Sequence, residues 1–344
     1  MKFHTLLLSL LLVMASRAFC DDLADGNMMY HKGDYDGAIA SFTKAIELDQ
    51  NNFIAYCFRA LAKQEKGDLD GALADYSKTI ELNPKYPLAY NNRSNVKRSK
   101  ADLDGALADL ARAIELQPNY AEAYFNRGQT KKAKEDYEGA IADFTKAIEL
   151  QPNFASAYSN RGSARLMMGD LAGALTDKNK YVELKPKDAI GYVGRGYVKH
   201  ASGNFGEAKV DFTKAIELNP NYYLAYNNRA WSEFQQNNFD AAIEDASKAI
   251  QLNPKYGNSY GTRGWAHYGK GDVVEALTDC KKAVELEGIN SLDAAGDQGM
   301  VEFMNSNYQK AVDSWQGFMQ HDASVRRDLN PWIEKAKAKL NAPK

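Results

Sequence analysis

Apolar residues of this chain recur at helical spacing within short segments, and the segments themselves recur along the sequence. In one representative segment, Ala140, Phe144 and Ala147 are four and three positions apart, which places them on one face of an α-helix. The segment before it carries a matching stripe at Tyr124 and Gly128. The pattern predicts pairs of short amphipathic helices. Because one pair is too small to bury both stripes, we expect successive pairs to stack.

The same residue types return every 34 positions along the chain. Tyrosine occupies Tyr56, Tyr90, Tyr124, Tyr158, Tyr192, Tyr226 and Tyr260, and arginine follows each of them three positions later. Proline occupies Pro84, Pro118, Pro152, Pro186, Pro220 and Pro254. Three registers with a single period indicate tandem copies of one structural unit.

The 34-residue period and the local pattern of residues 121–153 resemble the tetratricopeptide repeat family. The resemblance covers nearly all of residues 21–325 and implies an all-α fold, a right-handed α-solenoid (superhelix) of stacked helix-turn-helix hairpins. About nine copies are expected, each with a helix A followed by a helix B. They start near residues 19, 53, 87, 121, 155, 189, 223, 257 and 292. Residues 326–344 are expected to form a terminal capping helix and tail, opened by Asn330 and Pro331.

The turn between helix A and helix B has its own sequence signature. Glycine is expected to end helix A in the left-handed conformation at Gly33, Gly67, Gly169, Gly203 and Gly271. The expected N-caps of helix B are Asp34, Asp68, Asp102, Asp136, Asp170, Asn204, Asn238 and Asp272. In two copies, Asn204 with Glu207 and Asp272 with Glu275 also fit the capping-box spacing.

The repeated arginines suggest at first a positively charged surface for an acidic partner. An aspartate follows each arginine by sixteen residues, at Asp75, Asp109, Asp143, Asp177, Asp211, Asp245 and Asp279. On a helical wheel both sets lie beside the apolar stripe of their helices, at the seam between helices. This placement favours structural Arg-Asp pairs, within or between adjacent hairpins, over a ligand-binding surface.

Helix A positions 2, 5, 6, 9, 12 and 13 lie opposite the tyrosine stripe, and in the family that this chain resembles they line the ligand-binding groove. Copies three to five place carboxamides there: Asn91, Asn92, Asn95, Asn126, Gln129 and Asn160. A carboxamide carries both a donor and an acceptor, so it can pair with an extended peptide backbone. Their spacing resembles the asparagine ladder of the O-linked N-acetylglucosamine transferase superhelix, which binds peptide main chain. The alternative is that they are solvated groove residues.

Copies six to eight place aromatic residues on the same face. Tyr197, Trp231 and Trp265 form one column at 34-residue spacing, and His200, Phe234 and Tyr268 form the next. Tryptophan and tyrosine are enriched among the residues that dominate binding energy. They would serve either as anchors for a partner's apolar side chains or as part of the core.

The net charge and the first twenty residues limit the functions that the protein can have. With 43 basic and 45 acidic residues and a net charge of -2, the chain lacks the basic character of nucleic-acid-binding domains. Lys2 and the apolar run Leu6–Ala15 predict a cleaved secretory signal peptide over residues 1–20, with a short membrane anchor as the alternative. Cleavage is expected before Asp21, with a site after Ala18 also possible. The rest of the sequence has no stretch of membrane-spanning length.

Catalytic motifs do not emerge from the sequence. The histidines after the signal are far apart, and no metal-ligand spacing, phosphate-binding loop or nucleophile elbow is present. We therefore predict no enzymatic activity, no cofactor and no metal site. The basic groove residues with which chaperone-binding members of the family hold a C-terminal carboxylate are missing as well.

These features predict an exported scaffold or adaptor that holds an extended peptide or a partner's helix in its groove. The alternative is a structural spacer within an envelope or secretion assembly, in which the groove is not used. The compartment would be a periplasm, an extracellular space or, in a eukaryote, the endoplasmic lumen. The identity of the protein partner and the oligomeric state are left open.

Overall fold

The structure is a computed structural model that describes residues 22–288, 294–321 and 326–341. Within these ranges the chain forms α-helices joined by short turns, and no strand occurs in them. This confirms the predicted all-α class. The predicted signal peptide lies outside the described residues.

Helices follow one another at nearly constant length. Residues 22–31 are helical and are labelled α1. The others are α2 Tyr35–Leu48, α3 Phe53–Lys66, α4 Leu69–Leu82, α5 Pro87–Ser99, α6 Leu103–Leu116, α7 Ala121–Ala133, α8 Tyr137–Leu150, α9 Ala155–Met167, α10 Leu171–Leu184, α11 Ala189–Ala201, α12 Phe205–Leu218, α13 Tyr223–Gln235, α14 Phe239–Leu252, α15 Gly257–Lys270, α16 Val273–Glu287, α17 Ala295–Met304, α18 Tyr308–His321 and α19 Arg326–Leu340. Up to α18, odd-numbered helices are helices A and even-numbered ones are helices B.

The chain divides into two compact units, residues 1–152 and residues 153–344. Unit 1 contains α1 to α8 and unit 2 contains α9 to α19. In each unit, a helix A packs against its own helix B and against the helix B before it, as in the α3–α4 and α4–α5 pairs. Each unit is therefore a stack of helical hairpins.

Core packing in unit 1 pairs a large side chain on helix B with a small residue on helix A. Phe144 on α8 is fully buried, and a Cβ added to Gly128 on α7 would lie only 2.7 Å from its ring. The same site holds Phe42, Tyr76 and Leu110 in the other three hairpins, all nearly or fully buried. Close packing of this kind leaves no room for a larger residue at the helix A site.

Unit 2 keeps this pairing in the α11–α12 hairpin, whereas Ala246 and Cys280 occupy the site of the large side chain on α14 and α16. Phe212 on α12 packs against Gly196, whose added Cβ would be 2.7 Å from the ring. In the first hairpin of unit 2, however, the large site is Lys178, which is 6% exposed. Its ammonium group donates to the Ser159 carbonyl oxygen at 2.8 Å and to Ser163 Oγ at 2.9 Å. These bonds compensate the charge that this core position buries.

Helix capping separates the hairpins into two groups. Five of the six predicted aspartate caps accept a hydrogen bond of 2.9 Å from the backbone N–H three residues later. Asn204, Asn238 and Asp272 stand at the N-cap position as predicted, but their side chains make no capping bond. The two capping boxes predicted there are therefore also not formed.

The residue three positions after the cap explains this difference. It is glycine in all five capped helices, and a Cβ added to Gly105 would lie 2.1 Å from Asp102 Oδ2. In the uncapped helices that position holds Glu207, Ala241 and Glu275, each of which has a Cβ. In this geometry, the cap forms only where glycine leaves space for the carboxylate.

The C-terminal helix differs from its prediction in both start and position. α19 begins at Arg326, so Pro331 lies inside the helix instead of opening it. Its apolar side chains Leu329, Ile333 and Ala336 are buried, and Trp332 contacts side chains of helices A. α19 therefore packs onto the face that the repeat pattern assigns to ligand binding.

None of the helices in the described ranges combines the length and apolar character that crossing a bilayer requires.

Candidate functional site

Two surfaces gather the residues predicted to bind a partner. The carboxamide face consists of Asn91, Asn92, Asn95, Asn126 and Gln129 on α5 and α7 of unit 1. The aromatic face consists of Tyr197, Trp231, Phe234, Trp265 and Tyr268 on α11, α13 and α15 of unit 2. The two faces belong to different units.

The carboxamide face contains a hydrogen-bonded chain of three asparagines. Asn126 Nδ2 donates to Asn91 Oδ1 at 2.8 Å, and Asn91 Nδ2 donates to Asn92 Oδ1 at 3.2 Å. Asn91 is only 4% exposed and links α7 to its own helix. The chain fixes the orientation of half-exposed carboxamides across two consecutive repeats.

Asn95 and Gln129 occupy the same repeat position on α5 and α7. Asn95 Oδ1 is buried and accepts no hydrogen bond from any described residue. A buried acceptor without a donor costs about 1–3 kcal/mol. Gln129 is half-buried on the next helix. This part of the face holds hydrogen-bonding capacity that the fold itself does not use.

Two basic side chains lie next to these carboxamides, three residues further along each helix. Arg98 Nη1 donates to the Asn126 carbonyl oxygen at 3.4 Å, and burial lowers the pKa of its guanidinium. Burial also lowers the pKa of Lys132, at the same position of α7. Among the described residues Arg98 forms no ion pair. The sequence analysis missed this pair because it searched the twelfth position for aromatic residues alone.

Asn160, the sixth predicted carboxamide, belongs to unit 2. It lies on α9, where its Nδ2 donates to the Ser156 carbonyl oxygen at 3.0 Å. A related contact that the sequence analysis missed occurs further along unit 2, where Thr262 Oγ1 donates to Asn227 Oδ1 at 3.1 Å. Asn227 stands at the repeat position of Asn91, so the 34-residue period itself was the available signal.

Three rings of the aromatic face, those of Trp231, Phe234 and Trp265, pack against one another. Trp231 stacks on Phe234 with centroids 5.0 Å apart, and it meets Trp265 edge-on at 5.7 Å. Phe234 is 6% exposed and Trp265 is 3% exposed. Of the two roles that the sequence left open, anchor or core, these two residues take the core role in this conformation. Trp231, Tyr268 and Tyr197 are half-buried.

α19 is the element that covers the aromatic face. The Trp332 ring lies 5.1 Å from Trp265 and 5.7 Å from Tyr268 between centroids. Asp328 Oδ2 accepts a hydrogen bond from Trp231 Nε1 at 2.8 Å and lies 3.3 Å from His200 Nε2. His200 and Trp231 are thus bridged by one carboxylate of the terminal helix.

The Arg-Asp ladder is structural, as the sequence predicted. Arg Nη2 contacts Asp Oδ1 at 2.8 Å for Arg59–Asp75, 2.7 Å for Arg93–Asp109, 2.6 Å for Arg127–Asp143, 2.7 Å for Arg161–Asp177, 2.5 Å for Arg195–Asp211, 2.8 Å for Arg229–Asp245 and 2.9 Å for Arg263–Asp279. In each pair Nε binds the second carboxylate oxygen. These bidentate pairs engage the guanidinium groups within the fold, so they do not form a surface for an acidic partner.

Within the described ranges, no group of three or more histidine, cysteine, aspartate or glutamate side chains is placed so that it could hold a metal ion. Cys57 and Cys280 are both buried. Burial raises the pKa of the Cys57 thiol to about 12, which suppresses the reactive thiolate form.

Family models match most of the helical array. Models described as tetratricopeptide repeat match residues 121–154, 144–176, 189–222 and 223–256, and a model described as TPR repeat matches residues 26–67, 62–97 and 94–134. Comparison with curated proteins gives no significant match.

Solved structures show the same architecture. A tetratricopeptide repeat protein from Parabacteroides merdae ATCC 43184 is 20% identical, with a TM-score of 0.57 over 73% of this chain and 99% of that one. The Cut9-Hcn1 hetero-tetramer of the APC/C is 15% identical, with a TM-score of 0.59 over 82% and 55%. YrrB, titled a TPR protein with an unusual peptide-binding site, is 27% identical, with a TM-score of 0.46 over 54% and 95%. From its helical hairpins and the matches of its family models, the chain belongs to the tetratricopeptide repeat family.

Proposed function

We propose that this protein is an exported scaffold whose carboxamide face binds an extended segment of a partner protein. The observation that carries the proposal is the hydrogen-bonded chain Asn126–Asn91–Asn92. It orients neutral donors and acceptors across two consecutive helices A. Such groups can pair with the N–H and C=O groups of any extended peptide, whatever its side chains.

The adjacent basic residues give the proposed ligand a charge preference. Arg98 and Lys132 stand at one repeat position of α5 and α7, and burial lowers the pKa of both. A carboxylate brought by the ligand would restore part of the solvation that burial removes. We therefore expect preferred segments to carry an aspartate or glutamate beside the recognised backbone.

Export is the second part of the proposal. It rests on the sequence of residues 1–20, with a basic residue at Lys2 and an apolar run of about ten residues typical of a signal peptide. The site of action would then be a periplasm, an extracellular space or an endoplasmic lumen. No metal or cofactor enters the proposal.

The test begins with peptides selected by display against the full-length protein. Their affinities are then measured for wild type, Asn126→Ala and Gln129→Ala by fluorescence anisotropy. Each variant should weaken binding about tenfold, or about 1.4 kcal/mol, because each removes hydrogen bonds to the peptide backbone. Lys146→Ala, an exposed position on α8, is the matched control and should bind like wild type.

If the protein recognises the peptide backbone, binding should also depend on the amide N–H groups of the peptide. N-methylation of a recognised peptide amide should weaken binding about as much as Asn126→Ala does, while alanine at non-acidic peptide side chains should have less effect. If selected peptides bind equally well to Asn126→Ala, Gln129→Ala and wild type, the carboxamide face is not the binding site.

A further inference from the structure

The terminal helix α19 has the side-chain pattern of a helical ligand. Leu329, Trp332, Ile333 and Ala336 follow the spacing i, i+3, i+4, i+7, which places them on one helix face. Leu329, Ile333 and Ala336 are 4%, 3% and 0% exposed. Helices that bind in apolar grooves use anchors at this spacing.

The surface under α19 is built by several repeats. Trp332 contacts Trp265 and Tyr268 of α15, and its ring centroid is 6.0 Å from that of Phe303 of α17. Asp328 reaches Trp231 of α13 and His200 of α11. A helix that only capped the end of the stack would cover the last hairpin. α19 does pack against α18 of the last hairpin, but its side chains also reach the helices A of four successive repeats, α11, α13, α15 and α17.

A polar contact fixes the register of α19 on this surface. Asp328 Oδ2 receives the indole N–H of Trp231 at 2.8 Å and faces His200 Nε2 at 3.3 Å. The other ring nitrogen of His200 lies 2.8 Å from Ser232 Oγ. The carboxylate directly precedes the first apolar anchor, Leu329. The surface thus recognises an acid followed by an apolar helical stripe.

We propose that the aromatic face of unit 2 binds an amphipathic helix of a partner protein, and that α19 is its intramolecular occupant. The partner helix carries aliphatic or aromatic side chains at i, i+3, i+4 and i+7, with an aspartate or glutamate just before the first. It must compete with α19 for the surface. None of the residues involved belongs to the carboxamide face, so this proposal stands or fails independently of the proposed function.

By itself, α19 has a low intrinsic tendency to form a helix. A partner helix could therefore displace it from the aromatic face. Pro331 lies inside the helix, where proline is the residue least favourable to helix formation. The Pro331 side chain is exposed and does not belong to the docked face. A partner helix with the same anchors but without an internal proline would bind this surface more tightly.

The test uses a labelled peptide with the sequence of residues 326–341 and the change Pro331→Ala. It is titrated into full-length wild-type protein and into the full-length double variant Trp332→Ala, Ile333→Ala, whose own α19 docks weakly. Because a tethered helix competes at an effective concentration of about millimolar, the double variant should bind the peptide at least tenfold more tightly than wild type.

Three controls define the site. Lys337→Ala with Lys339→Ala changes the exposed side of α19 and should behave like wild type. A peptide that also carries Trp332→Ala should lose binding at least tenfold. A photo-crosslinking residue at peptide position 332 should label α15 or α17, the helices that Trp332 contacts, as read by mass spectrometry.

Equal peptide affinity of the double variant and wild type overturns the proposal, provided the double variant keeps the wild-type helical circular dichroism. If the double variant unfolds, Asp328→Ala replaces it, since it removes only the polar contact, and it should tighten peptide binding about threefold. A variant that forms a stable dimer and excludes the peptide also overturns the proposal, because the surface would then serve a second copy of the chain.

Discussion

Each ladder arginine combines a bidentate pair with an aspartate and a contact with the ring of the repeat's tyrosine. In the fourth copy, Arg127 binds both carboxylate oxygens of Asp143 and lies 5.4 Å above the Tyr124 ring. Lys131 shares the same aspartate at 2.8 Å. Lysine at position 127 would keep the charge but could form neither the bidentate pair nor the planar stack.

We therefore expect Arg127→Lys to lower the free energy of unfolding by about 1–2 kcal/mol. The measurement is urea denaturation followed by circular dichroism. The exposed control Lys146→Ala should change stability by less than about 0.5 kcal/mol. If Arg127→Lys also changed the free energy of unfolding by less than about 0.5 kcal/mol, the charge alone, without the bidentate geometry, would explain what Arg127 contributes to stability.

Asp297 is a buried acid that should make unit 2 sensitive to pH. It is 6% exposed, and burial raises its pKa to about 7, although the hydrogen bond from Trp265 Nε1 at 2.9 Å acts in the opposite direction. In the unfolded chain the pKa of aspartate is about 3.9. The folded state therefore holds the proton more strongly, and this contribution to stability is lost as pH rises from about 4 to about 7.

The prediction is that wild-type protein unfolds at lower urea concentration at pH 8 than at pH 5, as read by tryptophan fluorescence. Asp297→Asn should reduce this difference, because asparagine stays neutral at both pH values. Because other groups titrate in the same pH range, the contribution of Asp297 is read from the pH difference of wild type compared with that of Asp297→Asn. An unchanged pH difference in Asp297→Asn would rule out Asp297 as its source.

At the scale of the helix, the N-terminus of helix B depends on two residues together. Asp136 caps α8 by accepting from Gly139 N at 2.9 Å, and a Cβ at Gly139 would lie 2.2 Å from Asp136 Oδ2. Alanine at position 139 would gain about 1 kcal/mol of helix propensity but lose about 1 kcal/mol from the cap.

Gly139→Ala should therefore leave stability unchanged or reduce it. Gly206→Ala in α12 is the matched comparison, because nothing lies within 4 Å of its added Cβ, and it should stabilise by about 0.5–1 kcal/mol. Both are measured by chemical denaturation. Equal stabilisation by the two changes would contradict the dependence of the cap on glycine.

The turn before helix B stores strain in four copies. Ala101, Glu135, Asn237 and Ser306 have φ of 61–62°, at the repeat position where other copies have glycine. A left-handed conformation costs about 1–2 kcal/mol for a residue with a Cβ. We expect Ala101→Gly to stabilise by about 0.5–1 kcal/mol, since the added freedom of the unfolded chain offsets part of the gain. In denaturation experiments, Gly169→Ala should show the opposite sign.

Sequence periodicity predicted the helices and their shared faces but could not predict where α19 docks. A helical wheel shows that Leu329, Ile333 and Ala336 share a face, but not which surface that face meets. Proline at 331 also resembled a helix start, because its tolerance inside α19 depends on tertiary packing. For the same reason, the sequence analysis could assign Trp265 to either the core or the groove.

The Arg-Asp pairs were predictable because both residues recur in one register with a constant offset. The N-cap positions Asn204, Asn238 and Asp272 were predicted correctly, but the absence of their capping bonds was not, since residue preference describes the cap and not the space beside it. The carboxamide positions followed from the helical period. Their mutual hydrogen bonds did not, because these depend on rotamers that spacing leaves undetermined.

At the scale of the whole molecule, export would place the chain in a compartment where thiols are readily oxidised. Cys57 and Cys280 are 1% and 0% exposed, and burial raises the pKa of both thiols. Little thiolate is therefore available to react. We expect both to remain free thiols in the folded, exported protein.

A thiol count tests export and signal cleavage together. The sequence has three cysteines, and cleavage before Asp21 removes Cys20. The mature protein should therefore show about two thiols toward Ellman's reagent in guanidinium and none when folded. Cleavage after Ala18 would leave three, and intact mass distinguishes the two products. A chain isolated from its native host with Met1 still attached would instead favour the membrane anchor, because a signal peptide removed on export cannot persist in the mature protein.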